Sequence, residues 1–303
     1  MITSTEQAIE INALTRRYGQ KKCLDDVSLR IPRGCVFSLI GANGAGKTTF
    51  LRHVMGQLRA QHGSVQVFGL HPIRQCTAML ERVGYLSEEN DLPGWMRVEE
   101  LMRYLQAFYR KWDTHLASRT IKDFDLQPSA RISTLSKGQR ARVGLVAAIA
   151  HHPDLLVLDE PSSGLDPLVR RDILNAIIRL MASEGRTVLF SSHLLDEVER
   201  VTDHVAILRQ GKIIVAGPIE DVRRSHQMAT VQFPTACDRP PEIPGMICWN
   251  GSGREWTGLA IIPLERIEHE LLPLGGVVVE SRSPQLEEIF LARAGAEEAG
   301  AVR

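Results

Sequence analysis

Cysteine is scarce in this chain, and what there is stands apart. The five residues, Cys23, Cys35, Cys76, Cys237 and Cys248, are widely scattered, and none belongs to a Cys-x-x-Cys pair. Neither a disulfide framework nor a zinc site of ordinary spacing is suggested, and a reducing compartment fits best. No cationic stretch followed by an apolar core opens the sequence, so no signal peptide is expected. No uninterrupted apolar run approaches the roughly 20 residues a membrane span needs, so any membrane connection is expected to run through a partner. Neither sign of charge dominates, with 36 Lys and Arg against 36 Asp and Glu. That argues against a protein whose task is to coat nucleic acid, although a local basic patch is compatible with a balanced total. Low-complexity tracts, internal repeats and heptad runs are also missing. What is left is 303 residues of ordinary globular composition, 44% hydrophobic and 24% charged, enough for one or two domains with a real core.

One stretch carries the first chemistry. Gly41-Ala42-Asn43-Gly44-Ala45-Gly46-Lys47-Thr48-Thr49 follows the apolar run Val36-Phe37-Ser38-Leu39-Ile40 and precedes the helical start Phe50-Leu51-Arg52-His53-Val54-Met55. Strand, glycine loop and helix form the context of a phosphate-binding P-loop, and Gly41 and Gly46 bracket four residues before Lys47-Thr48, as that loop requires. Glycines let the backbone curl so that successive N–H groups face phosphate oxygens, and the helix adds the positive end of its dipole. Lys47 can set a point charge on the β- and γ-phosphates, and Thr48 can offer a hydroxyl to Mg²⁺.

Around this loop the pattern is α/β. Residues 8–40 alternate apolar and polar and predict one or two strand pairs leading into the P-loop strand. Short strands are expected at 63–69 and 82–86. Helical spacing then predicts helices over 97–111 and 114–124 and from about 136, a helical subdomain over about 90–150 inserted between strands. Strands resume at 155–158 and 187–191, with helices at 172–182 and 194–201 and a hairpin over 205–215. The nucleotide-binding domain is expected to span 1–222, followed by a smaller accessory domain at 223–303. In that tail, 234–244 reads as a proline-rich linker, 259–262 and 277–280 as apolar segments of a small α+β appendage, and 265–272 and 285–294 as helices, with 296–303 frayed.

Three further motifs sharpen the chemistry. Leu155-Leu156-Val157-Leu158-Asp159-Glu160 is an apolar strand ending in two carboxylates. Asp159 can hold Mg²⁺, partly through its water shell, and Glu160 can polarise an attacking water. The same pattern also describes a buried strand capped by solvated acids. Leu135-Ser136-Lys137-Gly138-Gln139 opens an apolar helix; Ser136 can cap it, and the N–H groups of Lys137, Gly138 and Gln139 can form a second anion site. Taken alone, that stretch is equally a plain helix cap. His193 follows the strand at 187–191.

In order and spacing, the P-loop, Leu135-Ser136-Lys137-Gly138-Gln139, Leu158-Asp159-Glu160 and His193 resemble the ATP-binding cassette (ABC) ATPases, over about 8–220. The resemblance implies a P-loop NTPase fold: a mostly parallel central sheet, an N-terminal antiparallel β part and an inserted helical subdomain. It implies an ATPase that uses ATP and Mg²⁺. By the same resemblance, Tyr18 stacks on adenine, though it is also an ordinary strand-end tyrosine. Ser136, Lys137, Gly138 and Gln139 face the γ-phosphate held by a second copy, Ser163-Gly164-Leu165-Asp166 cross between copies, and His193 contacts the γ-phosphate and helps hold Glu160. The sequence departs from the family at Lys137, where glycine is usual. It departs also at Glu88 in Val83-Gly84-Tyr85-Leu86-Ser87-Glu88, where the family has a glutamine that touches Mg²⁺ and reports to the membrane partner. A carboxylate can keep the metal role while adding charge near the triphosphate.

The expected function is the ATP-hydrolysing subunit of an ABC transporter. It dimerises, with itself or a related subunit, around two MgATP and powers a separate integral membrane permease for export. It is cytoplasmic, held at the inner face of the membrane through the permease, with no nucleic acid expected. The segment Ser283-Pro284-Gln285-Leu286-Glu287-Glu288-Ile289-Phe290-Leu291 looks like the close of drug- and ion-extrusion subunits of the ABC-2 permease-associated branch, and equally like an ordinary amphipathic helix. The alternative is a soluble cassette acting on nucleic acid or ribosomes. Against it stand the single P-loop and the missing coiled coil.

Overall fold

The computed structural model describes residues 6–89, 91–182, 185–240 and 242–295. The tail expected to fray, 296–303, lies outside the described residues. Alternation in the N-terminal sequence becomes an antiparallel hairpin of β1 (Gln7–Tyr18) and β2 (Lys21–Pro32), with Ile9, Ile11, Leu14 and Ile31 on its buried face. β3 (Val36–Ile40) leaves for a different sheet and runs through the glycine loop into α1 (Lys47–Val54). β4 (His62–Val67) returns to the other side of β1, completing a three-stranded antiparallel sheet in the order β2-β1-β4. A short helix, α2 (Cys76–Leu80), which the sequence pattern does not announce, leads to β5 (Val83–Leu86).

The inserted block holds α3 (Val98–Gln106), α4 (Thr114–Asp123) and α5 (Lys137–Ile149) around a core that includes Val98, Leu101, Ile121, Ile132 and Val146. The helix expected over 97–111 stops at Gln106. Beyond it Phe108 is exposed, and Tyr109 turns to stack on the buried ring of His151, centroids 4.0 Å apart. The helical spacing of those aromatics therefore did not mark one buried stripe.

β6 (Leu155–Asp159), α6 (Pro167–Ala182), β7 (Thr187–Ser192), α7 (Leu195–Val201), β8 (His204–Arg209) and β9 (Lys212–Pro218) complete the central sheet, ordered β5-β6-β7-β3-β8-β9. The four pairs from β5 to β8 are parallel. Every residue of β6 and β7 is buried, which is why 155–158 reads as an unbroken apolar run rather than as alternation. The fold is that of a P-loop NTPase, with a mostly parallel central sheet flanked by antiparallel strands and helices.

The chain forms two compact units, 1–193 with 201–213 and 194–200 with 214–303. The second holds α8 (Ile219–Arg224), β10 (Gln227–Cys237), β11 (Met246–Ala260), α9 (Leu264–Leu271), β12 (Val277–Arg282) and α10 (Leu286–Gly295). Its antiparallel sheet has the order β11-β10-β12, over a core of Val231, Phe233, Trp256, Ile267 and Leu271. The stretch 234–244, expected to be a linker, gives its first residues to β10, because extension in the sheet satisfies backbone groups that a linker would leave to water.

Candidate functional site

The loop after β3 is shaped by two close approaches. Gly46 caps α1 with φ 113°, and a Cβ there would lie 2.6 Å from the carbonyl oxygen of Cys23. A Cβ on Gly41 would lie 2.4 Å from the carbonyl oxygen of Leu208. β2 and β8 thus hem the loop so closely that only hydrogen fits at either position. Lys47 opens α1, and its ammonium donates to the carbonyl oxygens of Gly41 (2.6 Å) and Ala42 (3.3 Å).

The two carboxylates expected at the end of β6 point to different partners. Glu160, with φ +48°, lies in the left-handed region that a glutamate seldom adopts. Its Oε1 is 3.1 Å from Lys47 Nζ and its Oε2 is 2.7 Å from His193 Nδ1, so one carboxylate joins the P-loop to the end of β7. Lys47 and Glu160 are each only 7% exposed. Asp159 accepts hydrogen bonds at Oδ1 from Ser191 Oγ (2.7 Å) and Thr48 Oγ1 (3.3 Å). Burial pushes the Asp159 carboxyl above its ordinary pKa; the Ser191 and Thr48 hydroxyls oppose this, and the charges of Glu160 and Glu88 add to it.

Lys47, Thr48, Glu160 and His193 face a cavity of about 390 Å³ at the carboxyl ends of β3, β6 and β7, where open parallel sheets bind ligands. Of the residues expected from sequence, Asn43, Gly44, Gly46, Lys47, Thr48, Thr49, Glu88, Glu160, Ser163 and His193 line it. Gly41 and Ala45 are buried in the loop behind, and Ala42 accepts the Ala45 N–H. A second cavity of about 650 Å³, between the helical block and the sheet, shares Thr48 and Glu88 and reaches Asp159. Ser163 Oγ donates to Glu88 Oε1 at 2.9 Å, an unexpected link between the 163–166 loop and the departing carboxylate.

Other expected residues stand elsewhere. Tyr18 is exposed at the end of β1, with the Arg16 guanidinium over its ring. Ser136 and Gln139 form a reciprocal capping box on α5: Ser136 Oγ accepts the Gln139 N–H and Gln139 Oε1 accepts the Ser136 N–H. One of the three N–H groups expected to face an anion is therefore used within the cap. A Cβ on Gly164 would meet Lys137 Nζ at 2.6 Å, so the lysine that replaces the usual glycine rests on the 163–166 loop of its own chain. Leu165 is buried there, and a Cβ on Gly138 would come within 3.9 Å of its side chain. Asp166 Oδ1 accepts from the N–H groups of Leu168 and Val169, capping α6.

Sequence reasoning missed Ser191, whose hydroxyl serves both carboxylate residues, and Cys23, which lines the cavity and lies 3.2 Å from the Thr49 hydroxyl. Ser191 gives no local signal. It becomes visible only once β7 is known to lie beside β6, with Ser191 opposite Asp159.

Comparison with known proteins agrees with this geometry. The ABC transporter family model matches residues 24–163. The uncharacterized ABC transporter ATP-binding protein YhaQ of Bacillus subtilis is 31% identical over 304 residues, covering 95% of this chain and 99% of YhaQ. The daunorubicin resistance ATP-binding protein DrrA3 of Streptomyces coeruleorubidus is 32% identical over 72% of this chain and 70% of its own length. Among solved structures, an ATP-binding subunit of an ABC transporter superposes with a TM-score of 0.66 at 29% identity, covering 72% of this chain and 92% of that one. The reading as a cassette acting on nucleic acid or ribosomes gains no support from these relatives. The chain belongs to the ABC transporter family, as one of its ATP-binding, ATP-hydrolysing proteins.

Proposed function

We propose that this protein binds ATP in the cavity at the P-loop and hydrolyses it there to drive a separate membrane permease, in the direction of export. The observation that carries the reading is the cluster on that cavity in which the buried Lys47 and Glu160 meet the exposed His193. Lys47 meets the β- and γ-phosphates as a point charge. Glu160 polarises the attacking water and accepts its proton, while His193 holds the Glu160 carboxylate and touches the γ-phosphate. Thr48, Asp159 and Glu88 form an all-oxygen donor set, which suits Mg²⁺. When bound, Mg²⁺ neutralises charge on the phosphates. The proposed domains are a cassette over 1–222 and an accessory domain over 223–303, a boundary that falls within α8, whereas the compact units divide at 213/214 with 194–200 in the second; Tyr18 supports the adenine.

Two copies close head to tail, so that Ser136 to Gln139 of one face the nucleotide on the P-loop of the other, with Ser163 to Asp166 between them. Among the described residues no helix is long and apolar enough to cross a membrane. The permease is read as a separate chain, docked on the helical block near Glu88 and holding the cassette at the cytoplasmic face. The name of DrrA3, a daunorubicin resistance protein, favours a drug-type cargo. Co-expression with the permease tests the reading. ATP hydrolysis with membrane association that disappears when the permease is omitted is expected. An ATPase that fractionates with nucleic acid, in a salt-dependent way, contradicts the transport reading.

A further inference from the structure

Ser191 is the next-to-last residue of β7 and is 0% exposed. Parallel pairing sets it opposite Asp159. Its hydroxyl makes two bonds of different kinds. It donates to Asp159 Oδ1 at 2.7 Å and accepts the backbone N–H of Glu160 at 3.0 Å. A serine hydroxyl has a single proton, and an ionised carboxylate only accepts, so the direction of both bonds is fixed. The second bond falls on a residue whose backbone is strained. Glu160 has φ +48°, and this turn aims its carboxylate at Lys47 and His193 instead of along the strand. A strained conformation persists only where its surroundings hold it, and the Ser191 hydroxyl is one such hold.

We propose that Ser191 is a positioning residue for the hydrolysis reaction, fixing the side chain of Asp159 and the backbone of Glu160 through one hydroxyl. Alanine at this position removes the donor to Asp159 and leaves the buried Glu160 N–H without its acceptor. The turn at Glu160 is then free to relax, which moves its carboxylate away from Lys47 and His193. Because neither the P-loop nor Lys47 is bonded by Ser191, nucleotide binding is left largely intact. The inference rests on the reading of the cavity as the ATP site, and it adds the group that aligns the two acids.

The test uses the full chain as wild type and as Ser191→Ala and Ser191→Thr. Phosphate release gives kcat, and titration with trinitrophenyl-ATP gives the nucleotide Kd independently of turnover. In Ser191→Ala, kcat is expected to fall about 10- to 100-fold, the usual effect of removing a group that orients metal or catalytic ligands. Its Kd should stay within about threefold of wild type. Ser191→Thr keeps the hydroxyl and should retain more activity than the alanine variant. If Ser191→Ala does not fold, Ser191→Cys, of similar size with a weak donor, stands in for it and is expected to show the same split. An unchanged kcat overturns the proposal. So does a loss of kcat matched by an equal loss of nucleotide binding, or a threonine variant that folds yet is no better than alanine. A wild-type protein that hydrolyses no ATP overturns the underlying functional reading instead.

Discussion

The central sheet and the β11-β10-β12 sheet both stand over buried cores, and they end differently. The central sheet closes on buried charge: Lys47, Asp159 and Glu160 are all 7% exposed or less, and Ser191 is fully buried among them. The β11-β10-β12 sheet rests on Val231, Phe233, Trp256, Ile267 and Leu271, and the ion pair of Arg282 with Glu288 lies near the surface with Arg282 49% exposed. Its buried titratable group, His226, is pushed by burial below its ordinary pKa, away from the charged form. Burying ionised groups is costly and is tolerated where partners hold them, whereas exposed pairs add little. The difference therefore separates a unit built to do chemistry at one edge from a unit built mainly by packing.

The contrast can be broken from either side. The largest expected effect is on the first. Lys47→Ala removes the cation that meets both Glu160 and the phosphates, and hydrolysis should fall by about 10²–10³ in a phosphate-release assay. The second unit responds to volume instead. Phe233→Ala should lower stability by about 3–5 kcal/mol in urea unfolding, while the Kd for trinitrophenyl-ATP of the folded protein stays unchanged.

A smaller effect comes from His151, buried in the first unit and pushed down to about 4 by desolvation, against a partly opposing bond to the Val83 carbonyl. Its folded pKa is depressed, so the unfolded chain takes up the proton first as pH falls. The associated stability is present above about pH 6.5 and is lost as pH falls towards 4. Unfolding free energy at pH 5 should be about 2 kcal/mol below that at pH 7 from this group. His151→Phe, which keeps a ring against Tyr109, should show a smaller drop. The smallest effect sharpens the chemistry at the mouth of the site. Glu88→Gln removes a negative charge from the cavity while leaving an acceptor for Ser163. ATP binding in EDTA should tighten by about fivefold, and its Mg²⁺ dependence should weaken. No change in either would show that Glu88 does not face the triphosphate.

Legibility follows the same division. The P-loop and the Asp159-Glu160 pair could be read in sequence because phosphate chemistry dictates residue types at fixed spacings, and buried parallel strands leave unbroken apolar runs; His193 stood out only through the family resemblance. Ser191 could not be read, since its role arises from a strand neighbour 32 residues away in the chain. The Ser163–Glu88 bond and the seat of Lys137 on Gly164 are long-range in the same sense. In the second unit, β11 was visible only at its last residues. Its earlier part carries Asn250, Gly251 and Gly253 and takes positive φ at Cys248, which local strand preference does not favour, while its pairing with β10 runs over 253–260. The capping box at Ser136 and Gln139 was partly legible: a cap was expected, but not its reciprocal half.

The central claim is that Glu160 acts on a nucleotide held by the P-loop and completed by a second copy. Glu160→Gln tests it most directly, with ATP hydrolysis and oligomeric state followed together by phosphate release and size-exclusion chromatography in MgATP. The expected result is hydrolysis reduced by at least about a hundredfold, with ATP still bound and the protein accumulating as a closed dimer. Turnover at the wild-type rate, or a variant that binds ATP yet stays monomeric, would contradict it.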